Sequence, residues 1–265
     1  MVDKSEKFRW LVRLGFAARG VVYALIGYLA LSSKGHSDGP SGSFSYLQKV
    51  PGGTVLLYAA ALGLLGYGLY RLCSPLFDIE NYGSDKTGIA HRAGHAGSAF
   101  AHFVLAYTAF QFASGSGSSG GSDTAEQAAG TVLSVSFGGF LVGLLGIAFF
   151  LAGLAQAKKG ITASFMQRIS NRAPDFVEWL GRAGFLARAV VFVIIGWSLV
   201  QSAWASSSAQ VKTLGEAISS LADNGSLYTL VAVGFLLFGI FSMFMARYRI
   251  IPDLGSQGLK PSFRN

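Results

Sequence analysis

Three histidines, His91, His95 and His102, with Ser98 among them, fall in one narrow sector of a helix, about 60° wide at 100° per residue. Imidazoles four residues apart can share a metal, and a line of them within a membrane can pass protons. The same spacing serves polar packing, in which each ring hydrogen-bonds a backbone, Ser or Tyr group across helices. No carboxylate stands where it would orient an imidazole toward a metal. Polar packing is therefore the favoured assignment, ahead of proton or substrate contact, with metal or haem last. Two arginines, Arg19 and Arg188, form a second constellation. Each lies at the start of an apolar stretch, so its stem either snorkels to the headgroups or holds an anion inside a helix bundle. No Asp or Glu lies within any apolar stretch. A counter-charge must come from a connection, through Asp78, Glu80, Asp175 or Glu178, or from a ligand. A third set, Arg13, Arg92 and Arg182, reads as anchors that fix depth and topology. The candidate ligand-binding residues are therefore Arg19, Arg188, Ser98, His95 and His102, with no catalytic or metal-ligating residue assigned.

These residues recur because the chain repeats. Arg182-Ala183-Gly184-Phe185-Leu186-Ala187-Arg188 restates Arg13-Leu14-Gly15-Phe16-Ala17-Ala18-Arg19, and a weaker copy runs from Arg92 through Gly94 and Ser98. Arg19, Ser98 and Arg188 hold one repeat position. Each copy leads, after a polar loop, into a second apolar stretch. Tyr67-Gly68-Leu69, Ala152-Gly153-Leu154 and Phe238-Gly239-Ile240 fall in register there, with Gly63, Ala148 and Gly234 five residues before the central glycine. The unit is two apolar helices in about 85 residues. Three units occupy residues 8–75, 88–160 and 178–250, and 251–265 reads as a loose cytoplasmic tail.

Six stretches are apolar enough to span a membrane: Phe16–Leu31, Val55–Leu72, Ala99–Phe112, Phe137–Ala155, Ala189–Trp204 and Leu227–Ala246. Only 13% of residues are charged, and 35 glycines suit closely approaching membrane helices. Six such helices in water would leave nothing to cover the outside. The fold class expected is an all-α polytopic membrane protein, with six transmembrane helices as three parallel two-helix repeats around a pseudo-threefold axis along the membrane normal. The N-terminal stretch resembles a signal peptide, but its internal copy at Arg182 argues for a retained helix.

Both termini and the loops Arg71–Ser98 and Gln156–Arg188 share one side and hold 18 of the 21 Lys and Arg. The positive-inside rule places that side in the cytoplasm, in a bacterial inner membrane. The net charge of +8 thus reflects topology and anionic lipid, and no groove-reading motif points to nucleic acid. Along the chain, Met1–Arg9 reads as a polar arm and Trp10 as an interface anchor. Phe44–Val50 and Leu214–Leu221 read as short interfacial helices, and Ser114–Ser122 as a flexible loop. Pro75 is expected to bar helix beyond about Arg71. Ala163–Trp179, with Met166, Ile169, Phe176 and Trp179, reads as a helix lying on the membrane surface. Gly15, Gly94, Gly184 and Gly139-xxx-Gly143 are assigned to close helix packing. The lone Cys73 excludes an intramolecular disulfide.

The chain carries no G-x-S-x-G, Walker loop, HExxH, paired carboxylates or Cys/His dyad, so an enzyme is not expected. Taken together, several segments resemble the bacterial membrane family known as domain of unknown function twelve-oh-six. They are Arg13-x-Gly15-Phe16-x-Ala18-Arg19-Gly20-Val21-Val22-Tyr23, Leu47 through Pro51-Gly52 into Leu56-Leu57, and Gly63-Leu64 to Tyr67-Gly68-Leu69-Tyr70-Arg71. Val177-Glu178-Trp179-Leu180-Gly181-Arg182 and the closing Ala246-Arg247-Tyr248-Arg249 complete the set. The resemblance covers the whole chain and implies tandem transmembrane helix pairs, with no established activity and no catalytic residues to carry over; no cofactor is expected. The expected function is transport or binding of a small solute, an anion by the arginines. The competing class is a lipid-binding or complex-scaffolding protein without transport. Membrane lipid is the expected partner beside a small anionic solute, and the oligomeric state is left open.

Overall fold

A computed structural model describes residues 4–32, 38–80, 82–117 and 121–251. Six long helices carry the fold: α1 (Lys4–Ser32), α3 (Gly53–Phe77), α4 (Lys86–Ala113), α6 (Gly138–Thr162), α7 (Phe176–Ala205) and α9 (Gly225–Tyr248). Between them lie the shorter α2 (Gly39–Lys49), α5 (Gly121–Leu133) and α8 (Leu214–Ser219). The long helices have 24 to 30 residues, about 36–45 Å at 1.5 Å per residue. Five of them, α1, α3, α6, α7 and α9, are long and apolar enough to cross a membrane. α4 is as long but is interrupted by His95, Ser98, His102 and Gln111 and is not among the five. Such helices fit a multi-pass membrane protein.

Local sequence explains where the helices begin. Asp85 opens α4 by accepting from the Gly88 N–H, and Asn224 opens α9 by accepting from Leu227. Thr213 and Glu216 form a reciprocal capping box on α8.

Helix pairing follows the repeat. α3 packs on α4, α6 on α7 and α9 on α1; inside the outer units α1 packs on α3 and α7 on α9. Small residues set these approaches. A Cβ on Gly63 would stand 2.7 Å from the Ala18 Cβ, and one on Gly234 would stand 2.4 Å from the Ala187 Cβ. The middle unit differs: α4 and α6 make at most marginal contact among the described residues. The largest buried side chains, among them Tyr67, Tyr70, Phe235, Phe238 and Phe241, gather in the outer units.

Several expectations from the sequence are corrected here. Helix begins at Lys4, not after an arm ending at Arg9. α3 runs through Pro75 to Phe77, because a proline in the last turn forfeits one backbone bond and Asp78 can still close the helix with a positive φ of 48°. Ala163–Trp179 is not a surface helix. It is a short 3-10 turn (Ser164–Arg168), a bridge from Ile169 to Arg249 and the first turn of α7, with Phe165, Ile169 and Val177 buried. The Gly/Ser stretch gives way at Gly121 to α5, which the sequence did not signal; residues 118–120 lie outside the described residues. So do residues 252–265 of the expected tail. α2 and α8 form where the short helices were expected, with α2 starting earlier, at Gly39. Phe44, Ala217 and Ile218 are fully buried, and the two helices pack on each other across the end of the bundle that α1 and α7 enter last.

Candidate functional site

Arg19, near the middle of α1, is 5% exposed. Its Nε donates to the Ser242 hydroxyl at 3.1 Å and its Nη1 donates to the Tyr67 hydroxyl. The guanidinium carbon stands 4.9 Å from the Phe16 ring centroid, 4.7 Å from Tyr67 and 5.1 Å from Phe238. Arg188 reaches the same place from α7, 4.7 Å from Phe238 and 5.2 Å from Tyr23. Its Nε is buried without a hydrogen-bond partner. Both cations thus turn inward onto one aromatic ring, and neither meets a carboxylate among the described residues. Cation–π contact offsets part of the cost of burial, about 2 kcal/mol when desolvated. It does not supply a counter-charge.

The histidines join this cluster from α4. Arg71 Nη1 lies 2.9 Å from His95 Nε2, and arginine only donates, so Nε2 accepts and the proton sits on Nδ1. That Nδ1 is buried and unpartnered. His102 Nδ1 stands 2.7 Å from the Ser98 carbonyl and must donate to it, leaving Nε2 buried and bare. Its ring packs 4.5 Å from Tyr67. His95 and His102 are 8% and 6% exposed, facing protein. His91 is separate: it is exposed and stacks on Tyr82 at 4.7 Å. Ser98 is half-buried, and its backbone carbonyl accepts from His102 Nδ1. Among the described residues no three His, Cys, Asp or Glu side chains gather as metal ligands.

A second polar layer went unread in the sequence. Arg71, Gln156 and Ser242 each stand three residues after the central glycine of the second helix, one per unit. Arg71 Nε donates to the Tyr67 hydroxyl at 2.9 Å, and the Gln156 Oε1 is buried without a partner. Tyr67 therefore accepts from two guanidiniums. Among the described residues this cluster thus joins the buried Arg19, the half-buried Arg71 and Arg188, and two imidazoles with an unpartnered nitrogen each, none of them paired with a carboxylate.

Of the acids named in the sequence, Asp175 is exposed at the start of α7 and the other three are engaged elsewhere. Asp78 accepts from the Tyr82 and Gly83 N–H groups. Glu178 pairs with Arg182 at 2.8 Å. Glu80, 3% exposed, accepts from Tyr70, Tyr82 and Arg249 and forms an ion pair with Arg168. It ties the α3–α4 connection to the α6–α7 connection and the end of α9. Burial, reinforced by the neighbouring Arg249 cation, pushes the Arg168 guanidinium down to about 10, and burial raises the Tyr82 phenol. The Arg13, Arg92 and Arg182 layer shares one contact. Each donates to the last carbonyls of the neighbouring unit's second helix: Arg13 to Ala246 and Arg247, Arg92 to Pro75, Arg182 to Gly160 and Ile161. Gly94 departs from its assignment, since a Cβ there would meet nothing within 4 Å, whereas Gly15 and Gly184 pack tightly.

The family profile described as Domain of Unknown Function (DUF1206) matches residues 14–76, 93–163 and 183–249. Each match starts one residue after an arginine of the capping layer. The chain belongs to the DUF1206 family. A DUF1206 chain with three matched segments accounts for the tandem repeat and for the equivalence of Arg19, Ser98 and Arg188. The uncharacterized protein YxxB of Bacillus subtilis (strain 168) is 30% identical over 93% of this chain and 94% of its own. No solved structure matches.

Proposed function

We propose that this DUF1206 protein crosses the bacterial cytoplasmic membrane six times, with α4 as the sixth span. Its three parallel two-helix units would then surround an anion-binding site at Arg19, Arg188, Arg71, His95, His102 and Ser98. The observation that carries this reading is the interior cluster of guanidiniums with no carboxylate among the described residues. A buried cation without a counter-ion is costly, and a ligand anion is the group that would relieve it. The free nitrogens of His95 and His102 add one donor and one acceptor, which becomes a donor if His102 takes a proton. Both termini lie in the cytoplasm, as the basic residues favour. The site offers cations and donors without an activated nucleophile, which favours binding or passage of a solute over catalysis.

The test is a thermal-shift screen of the purified chain with inorganic phosphate, sulfate and small carboxylates. At 100 times its dissociation constant an anion that binds only the folded state adds about 2.7 kcal/mol. A raised midpoint that disappears in Arg188→Gln supports the site; equal response of the two proteins rejects it.

A further inference from the structure

We infer that the ligand is an anionic glycerophospholipid, which enters sideways between α4 and α6; this rests on the anion site proposed above. The outer units bring a small pair together, Ala18 with Gly63 and Ala187 with Gly234. The corresponding pair in the middle unit is Gly97 and Ala148, equally small, yet both are exposed and a Cβ on Gly97 would meet nothing within 4 Å. The two helices stand apart where sequence would let them touch. The walls of that opening are Gly94 and Ala101 on α4 and Leu145 and Ala148 on α6, all exposed. On α6 the same face continues to Gln156, whose Oε1 is buried and unpartnered. Behind α4 lies His102, 6% exposed, with its Nε2 bare.

A phospholipid, with its acyl chains, has no path along the bundle from either end. α2 and α8 pack over one end, and the Glu80 contacts with Arg168, Arg249, Tyr70 and Tyr82 tie the other. The lateral opening is apolar along its walls and cationic at its inner end. A soluble anion has no use for a lipid-facing apolar slot. A lipid does: its phosphate can reach Arg188 and the histidines while its acyl chains stay in the slot and the bilayer. Charge complementarity and apolar walls therefore select one occupant, a phospholipid with net negative charge.

The experiment uses the full chain in dodecyl maltoside. Native mass spectrometry measures retention of dioleoylphosphatidylglycerol against dioleoylphosphatidylcholine, and thermal shift measures the response to inorganic phosphate. The wild type should hold one phosphatidylglycerol roughly tenfold or more tightly than phosphatidylcholine, as expected when a charge-assisted contact is involved. Gly97→Leu and, independently, Ala148→Leu should weaken phosphatidylglycerol about tenfold and leave the phosphate response unchanged, because they fill the opening without touching the cations. Ala59→Leu, at an exposed position on α3, a helix that does not line the slot, should change neither. Arg188→Gln should lose both. Unaltered phosphatidylglycerol binding in the filled variants, or no preference over phosphatidylcholine, overturns the lipid assignment. If Arg188→Gln also leaves the phosphate response intact, the anion site itself falls.

Discussion

At the residue scale, the two repeat-equivalent arginines are not interchangeable. Arg19 is hydrogen-bonded to Ser242 and Tyr67 and faces three rings, whereas Arg188 has ring contacts and a bare Nε. Arg19→Gln should therefore cost about 2 kcal/mol through lost charge-assisted hydrogen bonds. Arg188→Gln should be neutral or stabilising, since it removes a cation that has no counter-charge among the described residues. Thermal unfolding of the two variants without added ligand checks the order. Tyr67→Phe strips an acceptor from both Arg19 and Arg71 and should cost about 1–3 kcal/mol in the same measurement. The sequence made Arg19, Arg188 and the histidines legible because charged or polar groups in an apolar run are conspicuous. It hid Arg71, Gln156 and Ser242, three unlike residues near helix ends where a basic residue passes for an anchor. Their shared distance from the central glycine was the available signal.

Among elements, helix-to-helix distance is set by glycine, and the seams differ. Gly63→Leu would collide with the Leu14 carbonyl and Ala18, and Gly234→Leu with Ala187. Each should cost about 1–3 kcal/mol or prevent folding, while Gly97→Leu should leave the unfolding midpoint almost unmoved. Comparing the three midpoints checks this. The long helices were legible from apolar runs that exceed any turn signal. The opening between α4 and α6 was not, because Gly97 and Ala148 are as small as the pairs that do pack. The path of 163–179 was misread for a related reason: Phe165, Ile169 and Val177 are apolar enough for a membrane surface, but they bury against the α7–α9 side of the bundle. Apolarity alone does not say which apolar neighbour wins.

For the whole molecule, Glu80 ties the three units together at the end where α1 begins and α9 finishes. Glu80→Gln keeps the shape but leaves two guanidiniums without their charge partner, and should cost about 3–5 kcal/mol in thermal unfolding. Topology is testable on intact cells with a chain in which Cys73 is replaced by Ser. Cysteine at Ser206 should react with an impermeant thiol reagent, and cysteine at Ser84 should not; the opposite pattern would invert the molecule. The decisive measurement is the unfolding midpoint of wild type and Arg188→Gln, each with and without saturating inorganic phosphate or phosphatidylglycerol. An interior anion site predicts that at least one of the two ligands raises the wild-type midpoint and leaves the variant's where it was. If both proteins shift alike, or neither shifts, the interior arginines do not hold an anion.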